Sequence, residues 1–224
     1  MKKAFTLLEL IFVIVLIGIL AAFILPRIKR NPLNEAAIQV QSHIRYVQHL
    51  AMIDDKYDSN DDKWYKGRWQ IVFGNTNVYA DSKPAYTIFS DSLSSISNTY
   101  SGDPKESEIA INPQNHNQIM TGGYNNTAAL DYNNNGFKGM KELNLGKKFG
   151  ITHIYFTGGC NSGLRISFDY LGRPFLGDQS TMTAPYSAST NRLIDSMCKV
   201  ILSNGESNVT IEIEKETGFS KIIF

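Results

Sequence analysis

The sequence predicts an α+β protein in which a long N-terminal helix leads into, and packs on, an antiparallel β-sheet head. Three observations predict it. An apolar run broken by a single carboxylate extends from Phe5 to Leu25. An amphipathic stretch follows from Glu35 to Ile53, and strand-like pieces then recur to the C-terminus. The mean hydropathy of −0.21 is ordinary, but it averages a nearly all-apolar start with a remainder rich in Asn, Ser, Tyr and Gly.

The first element is justified by its length. A helix over Phe5–Leu25 would rise roughly 31 Å, which matches the hydrocarbon core of a bilayer. A secretory signal peptide has a shorter apolar core followed by small residues at its cleavage site. Here Pro26-Arg27-Ile28-Lys29-Arg30 follows, so the segment is expected to stay attached. Lys2 and Lys3 before the run and Arg27, Lys29 and Arg30 after it leave the orientation open. Glu9 is the anomaly, because a carboxylate inside an apolar segment is costly without a partner and is a functional suspect.

Pro26 is expected to kink or loosen the helix by removing a backbone hydrogen bond. Asn31-Pro32 offers a second interruption, after which Asn34 is expected to cap a restart. Val40, Ile44, Val47 and Ala51 then follow helical spacing on one face, suited to packing on a sheet. His43 and His49 lie off that stripe and on different faces, which favours solvated or partly packed rings over a metal pair. Asp54–Asp62 reads as an acidic, solvated connector.

Beyond it, strands are expected at Trp69–Phe73, Ala85–Phe89, His153–Phe156, Leu164–Phe168, Lys199–Leu202, Val209–Ile213 and Phe219–Phe224. Val209-Thr210-Ile211-Glu212-Ile213 alternates cleanly, and Asn204-Gly205 before it is a hairpin signal. Leu171-Gly172-Arg173-Pro174 reads as a turn, and the polar, Asn-rich stretch 90–135 as an irregular insertion.

The chemistry-bearing residues are few. Cys160 and Cys198 allow one intramolecular bond or two buried thiols. A bond would close a loop of roughly 40 residues, worth about 4 kcal/mol in the chain-entropy model. The segment Asp131–Glu142 fits the calcium-loop pattern of an EF-hand: Asp131, Asn133 and Asn135 at alternate positions, a turn at Gly136, the Phe137 carbonyl and a closing Glu142. Only two of those ligands are charged, which predicts weak affinity, and no convincing helix enters the loop. No Gly-x-Ser-x-Gly, His-Glu-x-x-His or phosphate loop is present, and the four histidines are scattered, so no enzyme is expected. A net charge of +1 and a pI near 7.7 give no basic surface for nucleic acid.

Lys2-Lys3-Ala4 followed by Phe5-Thr6-Leu7-Leu8-Glu9-Leu10 and a long apolar run resembles the leader of type IV prepilins and type II secretion pseudopilins. The resemblance implies that a prepilin peptidase cuts between Ala4 and Phe5 on the cytoplasmic side and methylates the Phe5 amine. The family usually has Gly where Ala4 stands, so slower cleavage is implied. Glu9 becomes the fifth residue of the mature chain, placed to pair with the Phe5 ammonium of a neighbouring subunit on assembly. The implied organisation is a leader at 1–4, a transmembrane assembly helix at 5–25, its amphipathic continuation at 26–53 and an extracytoplasmic β-rich head at 54–224. Implied partners are other pilins or pseudopilins, the peptidase and an inner-membrane assembly platform. Export to an oxidising compartment then favours a Cys160–Cys198 disulfide, and calcium-stabilised loops occur in pseudopilin heads.

The Trp-led first strand, Tyr170-Leu171-Gly172-Arg173-Pro174 and the closing strand pair are most similar to the H-type minor pseudopilin and FimT group. The leading expectation is a minor pilin or pseudopilin, single-pass in a bacterial inner membrane with its head in the periplasm. The alternatives are a FimT-like pilin that captures DNA, for which only Lys138, Lys141, Lys147 and Lys148 are grouped, and a membrane-anchored exported enzyme.

Overall fold

The computed structural model describes residues 6–24, 31–74, 82–124, 127–161, 163–186 and 192–224, with backbone alone at 21–24. The expected cleavage site at Ala4–Phe5, the Pro26 kink and the flanking charges at 2, 3, 27, 29 and 30 lie outside these residues. The chain divides into two compact units, Met1–Asn31 and Pro32–Phe224.

In the first unit, α1 runs from Leu7 to Ile24. It is apolar on every side, and its described side chains are all exposed, from Leu7 to Leu20. A helix without a polar face finds no stable place in water and needs lipid or other helices around it. Its 18 residues rise about 27 Å, against a hydrocarbon core of about 30 Å. Among the described residues no helix is long and apolar enough to cross a membrane. The span expected over 5–25 runs past both ends of α1 into residues outside the described ones.

The second unit opens with α2, Pro32–Ile53. The helix restarts at Pro32 itself, with Asn31 at the N-cap position and Asn34 already inside the first turn. This corrects the expected cap. Proline suits the first helical position because its missing N–H and fixed φ cost nothing there. Leu33, Ala36, Ala37, Val40, Ile44, Val47 and Ala51 form the buried face, extending the expected stripe by about two turns towards the N-terminus.

Among the described residues, eight strands form two antiparallel sheets. The first contains β1 (Trp69–Gly74), β2 (Ala85–Ser90), β4 (Arg165–Phe168) and β5 (Pro174–Leu176) in the order β2-β1-β4-β5. The second contains β3 (His153–Gly158), β6 (Cys198–Ser203), β7 (Asn208–Ile213) and β8 (Ser220–Ile223) in the order β3-β6-β7-β8. A short helix, α3, spans Leu145–Phe149. All seven expected strands are present; β5, three residues long, was not expected, and only its first residue, Pro174, falls in the expected turn.

α2 packs against β1 and β4 of the first sheet and β6, β7 and β8 of the second. Its polar residues stitch the two together. Gln48 Nε2 donates to the carbonyls of Gly172, at 2.8 Å, and Thr217, at 2.7 Å. Arg45 Nη2 and Gln41 Nε2 both donate to the Ser220 carbonyl, at 2.6 and 2.8 Å. Gly172 and Gly218 take φ of +77° and +65°, and a Cβ on either would collide with the Gln48 amide. Glycine there lets loops from both sheets close on one side chain.

The stretch 90–135 is irregular, as expected, yet it is not a loose insertion. Ala110 N donates to Ile88 O at 2.9 Å, Ile88 N to Met120 O at 3.0 Å, and Gly122 N to Tyr86 O at 2.9 Å. These bonds occupy the free edge of β2, whose six residues are all buried. Ile109, Ala110, Met120 and Leu130 join the core. An open strand edge needs covering, and this segment covers it without forming a regular strand.

Candidate functional site

The chemistry of the N-terminal unit centres on Thr6 and Glu9. Glu9 Oε2 accepts from both Thr6 N and Thr6 Oγ1 at 3.0 Å, and Thr6 Oγ1 accepts from Glu9 N at 3.3 Å. This is a reciprocal capping box: the threonine satisfies one orphan N–H of the helix, and the glutamate turns back to satisfy another. The carboxylate that reads as unpartnered in the sequence thus has a partner in its own chain. A negative charge in the first turn also suits the helix dipole.

In the head, Cys160 and Cys198 form a disulfide with Cα atoms 5.1 Å apart. Both are fully buried, and the bond ties Cys160, two residues past the end of β3, to the first residue of β6.

The 131–142 segment is held by local turns and by contacts from outside it. Asp131 Oδ1 accepts from Asn133 N at 3.0 Å, and Asn134 Oδ1 from Gly136 N at 2.9 Å. Lys147 Nζ donates to Asn133 Oδ1 at 3.2 Å, and both Lys147 and Lys141 lie over the Tyr132 ring. Asn135 is exposed, Phe137 packs on Tyr132, and Glu142 is exposed on a short turn, Lys141–Leu143. As folded, a lysine ammonium sits where calcium would need the Asn133 oxygen, so the loop must rearrange before it fits the ion.

Sequence reasoning missed a group around Trp64. Arg68 is 2% exposed, with its guanidinium over the rings of Phe175, Tyr186 and Trp64 at 4.2, 5.2 and 5.6 Å. Its Nη2 donates to Pro185 O at 3.3 Å, while Nε and Nη1 have no hydrogen-bond partner among the described residues. Burial lowers its pKa from the ordinary arginine value. Asp91 and Glu108, 3% and 6% exposed, lie nearby and share the Ser92 amide, at 2.9 and 3.2 Å. The acidic connector 54–62 also does more than link elements: Asp54 Oδ2 accepts from Trp69 Nε1 at 2.7 Å, and Asp61 Oδ2 from Tyr100 OH at 2.5 Å. The only signal for this grouping was the closeness of the acidic run to both tryptophans.

Residues 1–25 match the family model of the prokaryotic N-terminal methylation motif. No curated protein and no solved structure matches the chain significantly. The motif covers the leader and α1, and it supports a pilin-type structural subunit that prepilin peptidase processes. The head is known from its own geometry alone.

Proposed function

We propose that this chain is a minor pilin or pseudopilin of a type II secretion or type IV pilus assembly, within the H-type and FimT-like group. The observation that carries the reading is the methylation motif over residues 1–25, which takes in α1, a helix with no polar face. Cleavage between Ala4 and Phe5 would create a new ammonium one residue before Thr6. Methylation keeps that charge, and the Glu9 carboxylate of an adjacent subunit is its complement. The capping box gives Glu9 a partner while the subunit waits in the membrane, and assembly exchanges that partner for the neighbour's amine. The buried disulfide supports a head that lives outside the cytoplasm. A weak calcium site in the 131–142 loop belongs to the same proposal and is reached when Lys147 leaves Asn133.

Expression in strains with and without prepilin peptidase tests the reading. The expected result is a lower mass for the processed chain, with Phe5 N-methylated, only where the peptidase is present. Identical mass and membrane extraction in the two strains would overturn it.

A second reading, capture of DNA by a FimT-like head, is favoured by one observation: Lys141 and Lys147 converge on Tyr132, with Lys148 beside them on α3. Phosphate binding by such a patch predicts retention of DNA that falls steeply with salt.

A further inference from the structure

An open groove of ≈500 Å³ lies where the 54–67 segment meets the loops after β2. That volume is in the range of small-ligand sites. Trp64, Trp69 and Tyr100 supply its aromatic walls, so both tryptophans of the chain face it. Asp58, Asp61, Asp91 and Glu108 line it against a single lysine, Lys56. We infer that this groove is a binding site for an extended peptide, with an arginine or lysine side chain of that peptide entering between the aromatic walls and the carboxylates.

Two independent features point to a cation. The first is the rings themselves. Indole faces attract cations more strongly than other aromatic side chains, and the chain shows this within the groove: the Lys56 ammonium sits 5.1 Å from the centroid of Trp69. The second is the charge of the floor. Asp91 and Glu108 converge on one amide hydrogen of Ser92. Glu108 has Lys105 Nζ at 2.9 Å, whereas the bonds to Asp91 come from neutral donors, Ser92 N, Gly102 N and Ser101 Oγ. Burial, with the neighbouring Glu108 charge adding to it, raises the Asp91 pKa. A guanidinium arriving between the two would relieve their repulsion, and a cleft of one sign also concentrates ligands of the other.

The peptide class follows from what adjoins the groove. Past Trp69, Ser107 and Glu108 it continues into a second cavity of ≈470 Å³ lined by Tyr46, Leu50, Ile109, Ile111 and Pro113. A basic side chain in the first cavity therefore places an adjacent apolar side chain of an extended peptide beside the second. Among the described residues no trio of His, Cys, Asp or Glu is set to hold a metal ion, so the carboxylates do not form a rival metal site.

Tryptophan emission of the full chain in detergent reports the groove directly. The probe is acetyl-Leu-Arg-Leu-amide, with the citrulline analogue as its uncharged isostere. The expected result is a saturable emission change with the arginine peptide, at least tenfold weaker with citrulline, and weakened by added salt. Asp91→Asn with Glu108→Gln is expected to weaken binding at least tenfold. Asp58→Asn, an exposed change that leaves the core alone, is expected to weaken it about threefold. Equal affinity for the citrulline peptide, binding unaffected by Asp58→Asn, preferential binding of maltotetraose, or no emission change at millimolar peptide would each overturn the inference. Peptidase processing does not involve the groove, so either reading can fail without the other.

Discussion

Thr6 and Glu9 satisfy each other at the start of α1, through three hydrogen bonds of 3.0 to 3.3 Å. The pair makes different predictions for its two members. Thr6→Ala removes a cap, a change worth about 1 kcal/mol at the helix end, and leaves the carboxylate in place. Glu9→Gln keeps a capping side chain but removes the charge that an adjacent ammonium needs. Thr6→Ala is therefore expected to retain most incorporation into filaments, while Glu9→Gln loses it with cleavage intact. Immunoblots of sheared filaments and of membrane fractions, read alongside the processed mass, separate the two.

The disulfide gives a stability prediction independent of assembly. Cys160 and Cys198 are 38 residues apart, for which the chain-entropy model gives about 4 kcal/mol. Replacing both with serine also buries two hydroxyls where none stood, which adds to the loss. Urea unfolding of the second unit, residues 32–224, is expected to show a lowered midpoint in the reduced native protein and a further lowered one in the double variant.

His43 supplies a pH dependence. Its Nδ1 lies 2.6 Å from the Tyr86 hydroxyl, which also accepts from Gln39 Nε2 at 2.9 Å. The ring is half of a hydrogen bond whichever nitrogen carries its proton, and burial lowers the His43 pKa to about 4, which keeps the imidazole neutral near pH 7. As pH falls, the unfolded chain takes up a proton near 6.5 while the folded one does not. Stability is thus full above about 6.5, declines down to about 4 and is flat below, a loss of roughly 2–3 kcal/mol. His43→Gln is expected to flatten that part of the pH profile in thermal melts.

The parts of the molecule legible in the sequence share one property: their signal is local. The stripe Val40, Ile44, Val47 and Ala51 repeats at helical spacing, and the alternation at Val209–Ile213 marks one buried face. Asn204-Gly205 marks its hairpin, where Gly205 takes φ +92°. β5 was illegible because its three residues hold a place in the sheet through non-local pairing, with β4 on one side and with Arg192–Ile194 on the other. The covering of β2 by Ile109 to Gly122 was hidden in the same way, since polar residues surround the few that bury. Asp91 and Glu108 are 17 positions apart in sequence, and nothing in either neighbourhood announces that one amide will hold both. Glu9 was legible as an anomaly, but its capping role needed the geometry of the first turn.

The last prediction concerns Lys147. Its ammonium donates to Asn133 Oδ1 and lies 4.3 Å from the centroid of Tyr132, so it competes directly with any calcium ion in the 131–142 loop. If the loop takes calcium, the affinity is in the millimolar class expected of a site with two charged ligands. Lys147→Ala is then expected to tighten it several-fold by removing a competing donor and a like charge. Asp131→Ala is expected to abolish binding in either background. Isothermal titration of the head with calcium gives the answer: heat that appears only with Asp131 present, and grows stronger without Lys147, assigns the ion to this loop. No heat in the Lys147→Ala variant would show that the loop does not take calcium even with the competing ammonium removed.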